Sequence, residues 1–318
     1  MTIQCLSSKA GMGYGFNAPR KSRDFIRPED PIYKAFESWL DFIDGSSFPK
    51  NRNEYDCEEL NDLNDFYKDA EKIVSEIEGI EQRSPEEMHA IIPNYENHKR
   101  IRTAGIFLSA CYNVMMETQI IYDVWMDTPL DFVGIFLSGR SLIIDSNAGD
   151  YVGAGNKGKI SNMAVIGEEA AHKNLGIFVN FGEAKNGVIG RGNAGRVINC
   201  GKIEGNLASH SSGIAINFGD VSGDMAWRSA KHSINIALGG IHGGGICGEG
   251  WNFGGYMHEL EGHKRLTVYL EKMRDRLEEY KRMPAKEHFG VFDFLKEEMG
   301  KRQKFGERVK DLSWWVDL

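Results

Sequence analysis

Gly195-Arg-Val-Ile-Asn199-Cys-Gly201-Lys-Ile203-Glu-Gly205 decides the fold, because the same frame returns along the chain. It stands earlier as Gly176-Ile-Phe-Val-Asn180-Phe-Gly182 and later as Gly213-Ile-Ala-Ile-Asn217-Phe-Gly219-Asp-Val221-Ser-Gly223. A degenerate copy runs from Ser233 through Ala237 and Gly239 to Gly243, and Asn156-Lys-Gly158-Lys-Ile160 gives the second half of the frame upstream. Gly134-Ile-Phe-Leu-Ser138 and Gly105-Ile-Phe-Leu-Ser109 read as earlier copies with Ser at the Asn position. With that position as marker, the steps are 29, 18, 24, 19, 18 and 20 residues. A period near 19 marks a repeat whose units bury their apolar faces only by stacking on one another. Alternation such as Ile214-Ala215-Ile216 sends every second side chain inward, as a strand requires. The frame predicts a short β-solenoid with Asn156, Asn180, Asn199 and Asn217 in register as a hydrogen-bonded amide ladder.

The surrounding composition agrees. Residues 104–255 hold 28 of the 37 glycines and one proline, Pro129, a density that helices do not tolerate. A sandwich of hairpins would favour adjacent Asn-Gly turns, and Asn186-Gly187 alone fits. Residues 1–103 carry 14 basic and 20 acidic residues and read as helical. Asp30-Pro31 is an N-cap followed by an N1 proline, with Ile32, Phe36, Trp39, Leu40 and Ile43 at helical spacing. Leu60, Leu63, Tyr67, Ala70, Val74 and Ile77 make a second apolar stripe, and Ser84-Pro-Glu-Glu87 has the form of a capping box. Residues 256–318 return to helix, with a stripe from Leu266 through Leu270, Met273 and Leu277 to Tyr280, then Pro284 and a closing Trp314-Trp315. The expected class is α+β: a β-solenoid over 104–255 between helical segments, the flanks covering its two ends.

Ser146-Asn-Ala-Gly149-Asp-Tyr-Val-Gly153-Ala-Gly155 and Gly187-Val-Ile-Gly190-Arg-Gly192-Asn-Ala-Gly195 resemble the glycine-rich GXGXG β-helix. That domain ends the large subunit of glutamate synthase and makes up a whole subunit of formylmethanofuran dehydrogenase. The resemblance covers about residues 134–250. It implies a right-handed β-helix serving as a spacer or assembly surface, a place in a larger oxidoreductase-type complex, and chemistry located elsewhere. The chain departs from the family in its N-x-G-x-I-x-G frame, its uneven rung lengths and its large helical flanks.

Composition narrows the function further. A formal charge of -8 argues against a dedicated nucleic-acid binder. No apolar run is long enough to span a bilayer, and the first residues lack a signal-peptide pattern. Five dispersed cysteines without C-x-x-C read as reduced thiols of a cytoplasmic protein. Gly190-Arg-Gly192-Asn-Ala-Gly195 matches a dinucleotide fingerprint, but a β-branched stretch follows where a helix is needed. His258-Glu-Leu-Glu-Gly-His263 spaces its histidines by five, not the four of a zinc helix. His172, His210, His232 and His242 fall at unequal offsets in the frame and form no ladder. No cofactor or metal is expected. Two functional readings remain: a non-catalytic assembly protein that binds a protein partner or its own copies, and a carbohydrate-active β-helix enzyme using Asp220 and Asp224 on one face.

Overall fold

The computed structural model describes residues 29–46, 48, 60–124, 126–231, 233–248, 251–253 and 264–301. The chain is α+β, a β-solenoid of about seven turns with helices before and after it. Helix α1 (Pro31–Gly45) starts where Asp30 accepts a hydrogen bond from the Ile32 N–H at 2.9 Å, and it buries Ile32, Phe36, Trp39, Leu40 and Ile43. Helix α2 (Asn61–Ser75) buries Leu63, Tyr67, Ala70 and Val74. The capping box opens α3 (Pro85–Ile91), with Ser84 and Glu87 each bonding the other's backbone N–H.

Helix α4 (Ala104–Val114) contains Gly105-Ile-Phe-Leu-Ser109, which matches the repeat by its letters and is no rung. No second glycine follows Ser109 before the helix ends, so nothing turns the chain out of the helix. Gly105 serves close approach instead, since a Cβ there would strike the Asp131 carbonyl oxygen. Ser109 then ties α4 to the first turn of the solenoid. Its Oγ lies 3.1 Å from the Phe132 carbonyl oxygen and accepts from the Gly134 N–H at 2.8 Å. The N-terminal helices thus close one end of the stack, and their core is continuous with its interior.

Each turn contributes one strand to a long parallel sheet. Its order is β1 (Gln119–Tyr122), β2 (Ser141–Ile144), β3 (Lys159–Asn162), β5 (Ile177–Asn180), β7 (Arg196–Asn199), β9 (Ile214–Asn217), β11 (Ile234–Ala237) and β13 (Trp251–Phe253). Two-residue strands build a second parallel sheet: β4 (Val165–Ile166), β6 (Glu183–Ala184), β8 (Lys202–Ile203), β10 (Asp220–Val221) and β12 (Gly240–Ile241). A third line of contact runs through the bridges Ile189–Leu207, Leu207–Met225 and Met225–Ile246. Tyr122, Ile144, Asn162, Asn180, Asn199, Asn217 and Ala237 lie over one another, so the in-register steps are 22, 18, 18, 19, 18 and 20 residues. The 24-residue step disappears because Asn162, not Asn156, is the equivalent of Asn180. Gly134–Ser138 belongs to the first turn but to a different part of it, since the Gly153 N–H bonds the Val133 carbonyl.

Inward positions of the long sheet fill the stack with Leu142, Ile160, Phe178, Val197 and Ala215, all buried. The outward positions are apolar too: Ile143, Val179, Ile198, Ile216 and Ile236 form a column broken only by Ser161. Apolar residues on both faces require a cover on each. Helices α5 (Lys264–Lys281) and α6 (Gly290–Lys301) supply it, packing Met273, Leu277, Tyr280, Val291, Phe292 and Leu295 with that column. The C-terminal helices therefore lie along the side of the solenoid and do not cap its end. The Met273–Tyr280 stripe belongs to this packing.

Ser161 has its own partner in the cover. Its Oγ lies 3.0 Å from Nδ1 of His288, a fully buried imidazole held edge-on against Phe181. Burial pulls His288 down to about 4. Burial does the same to His89, whose Nε2 is 2.7 Å from the Tyr112 hydroxyl. Burial acts the other way on Asp131, raising it to about 6 despite Arg102 at 2.7 Å. Near pH 5 the unfolded chain holds two protons on these histidines that the folded chain lacks, and the folded chain holds one on Asp131 that the unfolded chain lacks. Stability therefore falls as the pH drops from about 6.5 towards 4, with a net uptake of about one proton on unfolding. Denaturant midpoints measured across that range check the sign, and His89→Gln should flatten the slope.

Candidate interaction surface

Each central turn carries two Asn-x-Gly units six residues apart, one at either end of a four-residue strand. They are Asn174-Leu-Gly176 with Asn180-Phe-Gly182, and Asn193-Ala-Gly195 with Asn199-Cys-Gly201. Asn156-Lys-Gly158 is followed by Asn162-Met-Ala164 in the same way, and Ser211-Ser-Gly213 by Asn217-Phe-Gly219. The first-of-pair residues stack as one ladder, with Asn156 Nδ2 donating to Asn174 Oδ1 at 2.9 Å and Asn174 Nδ2 to Asn193 Oδ1 at 2.8 Å. Asn193 Nδ2 continues to Ser211 Oγ at 3.3 Å. The second-of-pair residues stack as another, in which Asn162, Asn180 and Asn199 each donate to the next Asn at 2.8 Å, ending on Asn217. Asn180, Asn199 and Asn217 are thus neighbours, and Asn156 belongs to the other ladder. All of these side chains are buried.

Asn217 gives its second amide hydrogen to the Gly240 carbonyl, but the other six ladder asparagines bond a carbonyl two residues on, as Asn174 does at Gly176 and Asn199 at Gly201. Oδ1 of Asn156, Asn162, Asn174 and Asn199 also accepts the N–H two residues on. This is an Asx-type turn, satisfied locally and along the stack at once. Glycine follows because of crowding. A Cβ on Gly201 would run into the carbonyl oxygen of Gly182 directly beneath it.

Acids and amides build a third line of contact. Asp131 accepts the Asp150 N–H at 2.8 Å, and Asp150 accepts the Glu168 N–H at 2.8 Å. Further along, Asn206 accepts the Asp224 N–H at 2.7 Å, and Asp224 accepts the Gly244 N–H. Asp224 is thus a link between turns. Asp220 sits elsewhere, exposed on the short sheet with His242 Nε2 at 3.7 Å. The structure gives the two acids separate settings and no bond to each other among the described contacts. His172 is buried beside Tyr151 and Glu169, and His210 is exposed. His232, His258, His263, Trp314 and Trp315 lie outside the described residues. Among the described residues no group of three or more His, Cys, Asp or Glu side chains is placed to hold a metal ion. The glycine fingerprint at 190–195 runs into β7, so it lacks the helix a dinucleotide site needs. No helix among the described residues is long and apolar enough to cross a membrane.

Two lateral surfaces of the stack carry polar side chains. The short sheet alternates charge across turns: Lys202 Nζ lies 3.0 Å from Glu183 and also pairs with Glu204. The other surface is a left-handed edge. Alternate residues there take positive φ in every described turn from the first to the sixth: Phe132, Gly134 and Phe136; Tyr151, Gly153 and Gly155; Glu169, Ala171 and Lys173; Gly190 and Gly192; Ala208 and His210; Ala226 and Arg228. Successive left-handed residues bond in opposite directions, as Ala171 N–H does to Val152 and Lys173 N–H to Arg191. The inner column of this edge is Gly or Ala, because a Cβ at Gly153 already crowds Ile160 and Phe178. The outer column runs Phe136, Gly155, Lys173, Gly192, His210, Arg228. Tyr67 of α2 packs on Phe136 at 5.2 Å, and Leu60 lies over Gly155, so the helices cover its first two turns. Beyond them stand Lys173, His210 and Arg228, with Trp227 at 38 % exposure. Left-handed backbone costs a residue with a Cβ about 1 kcal/mol relative to glycine, so these three large side chains are held against local preference.

Comparison with protein-family models, with curated proteins and with solved structures returns no match. Sequence reading missed this edge and the second ladder. The doubled Asn-x-Gly spacing signals the ladder; the edge shows only as Gly-x-Gly at 153–155 and 190–192, because Ala, Lys, His and Arg conceal the left-handed backbone of the third, fifth and sixth turns.

Proposed function

We propose that this chain is a non-catalytic assembly protein whose solenoid presents a rigid surface to a protein partner or to other copies of itself. One observation carries the reading. The chain's own helices close the first turn and cover the apolar face of the long sheet, while a built, strained edge is left at the surface. The buried asparagines of the central turns are spent on bonds between turns. The alternating left-handed residues at Gly153-Ala-Gly155 and Gly190-Arg-Gly192 support kinship with the GXGXG β-helix domains, and with it a place as one subunit of a larger complex. Cys111 and Cys200, buried as free thiols, support a reducing, cytoplasmic setting. Purification at native abundance followed by native mass measurement tests the proposal. A hetero-complex or a defined homo-oligomer is expected; a lone monomer with no partner overturns it.

A further inference from the structure

The left-handed edge points to the chemistry of that partner; this rests on the assembly reading. We infer that the outer column at Lys173, His210 and Arg228, with Trp227 between the last two, docks an acidic protein segment bearing an aromatic or aliphatic anchor. Three observations converge on it. First, the column is already a docking surface within the chain: its first two turns seat Tyr67 and Leu60, so the later turns continue an existing interface. Second, the positions beyond the helices hold two cations and an imidazole on backbone that suits glycine, with φ of 48°, 55° and 55° at Lys173, His210 and Arg228. Gly192 in the same column shows that glycine fits there. Strain of this kind concentrates where a side chain is needed for function. Third, the Arg228 guanidinium lies over the Trp227 ring at 4.3 Å, and His210 meets that ring edge-on at 5.3 Å. A partly exposed Trp braced by Arg is the composition of a protein-binding hot spot.

Charge selects among occupants. The whole chain carries -8, and Arg191 beside the column is paired with Glu169 at 3.6 Å. A uniformly charged polyanion such as RNA meets too few cations here and a repelling field around them. A short acidic segment meets the cations alone and places its anchor on the indole.

The test uses the full chain and a labelled peptide of repeated Glu-Glu-Phe triplets, with binding read by fluorescence anisotropy. Wild type is expected to bind the peptide more tightly than heparin or a single-stranded RNA of equal charge. Arg228→Gly and Lys173→Gly should each weaken binding about tenfold, while their Tm stays level or rises as the left-handed strain is relieved. Lys202→Ala on the short sheet should bind as wild type. Absence of peptide binding, tighter binding of RNA or heparin, or unchanged binding in both glycine variants overturns the inference. The two proposals fail separately. A native complex that survives Arg228→Gly and Lys173→Gly removes this edge and keeps the assembly role. A lone monomer that binds the peptide through Arg228 does the reverse.

Discussion

Asn199→Leu is expected to destabilise the protein by about 3 kcal/mol, because it breaks one ladder at its middle. The Asn199 side chain is fully buried. Its Oδ1 accepts from Asn180 Nδ2 at 2.8 Å and from the Gly201 N–H at 3.2 Å. Its Nδ2 donates to Asn217 Oδ1 at 2.8 Å and to the Gly201 carbonyl at 3.2 Å. Leucine matches the volume and satisfies none of these, leaving polar groups of two neighbouring turns buried without a partner. Paired substitutions give the finer test. Asn180→Leu and Asn199→Leu share a bond, so their costs should not add, whereas Asn156→Leu strikes the other ladder and should add to Asn199→Leu. Denaturant unfolding of the singles and doubles measures both. A near-neutral Asn199→Leu would mean that the amide contributes little to the stack.

Leu277→Asp is expected to have an effect of similar size by another route. Leu277 is fully buried between α5 and the Ile143–Ile236 column. A carboxylate there loses the apolar contact and carries an unpaired charge into the interface. The C-terminal helices should lift off, exposing a broad aliphatic sheet face that binds hydrophobic dyes and promotes association. The solenoid itself should keep its strands, since its interior and both ladders lie on the other side of that sheet. Dye binding, proteolytic release of the C-terminal helices and retained β circular dichroism check the three parts. Loss of the β signal along with the helices would show that cover and solenoid fold as one unit.

These two expectations divide between what the sequence displays and what it hides. The strands were legible because glycine and Asn punctuate four-residue apolar runs at a nearly constant period. Asn156 was misaligned because both ends of each strand carry the same Asn-x-Gly signal, and a one-marker count confuses the two. Gly105-Ile-Phe-Leu-Ser109 imitated a rung because five letters cannot tell a strand from a helix; the missing second glycine decides that. The side-on position of α5 and α6 was open to inference from the β strands themselves. Ile198 and Ile216 alternate with Val197 and Ala215, so both faces are apolar and one of them needs a cover. Asp220 and Asp224 looked paired because they are four residues apart, but the chain turns between them, and Asp224 bonds to the next turn.

Lys202 and Asp220 offer the most direct test of the central claim, that these residues wind as stacked turns in the register described. They are exposed Cα partners on adjacent turns of the short sheet, and Glu183 is the partner of Lys202 on the turn before. Adjacent parallel strands lie about 4.8 Å apart, within disulfide reach, while the next turn but one, at about twice that distance, is beyond it. In the double variant Lys202→Cys with Asp220→Cys, mild oxidation followed by peptide mapping should find a disulfide joining the two positions. Glu183→Cys with Asp220→Cys should give none. Failure of the first pair to cross-link, or efficient cross-linking of the second, would contradict the stacking and the interaction surface built on it.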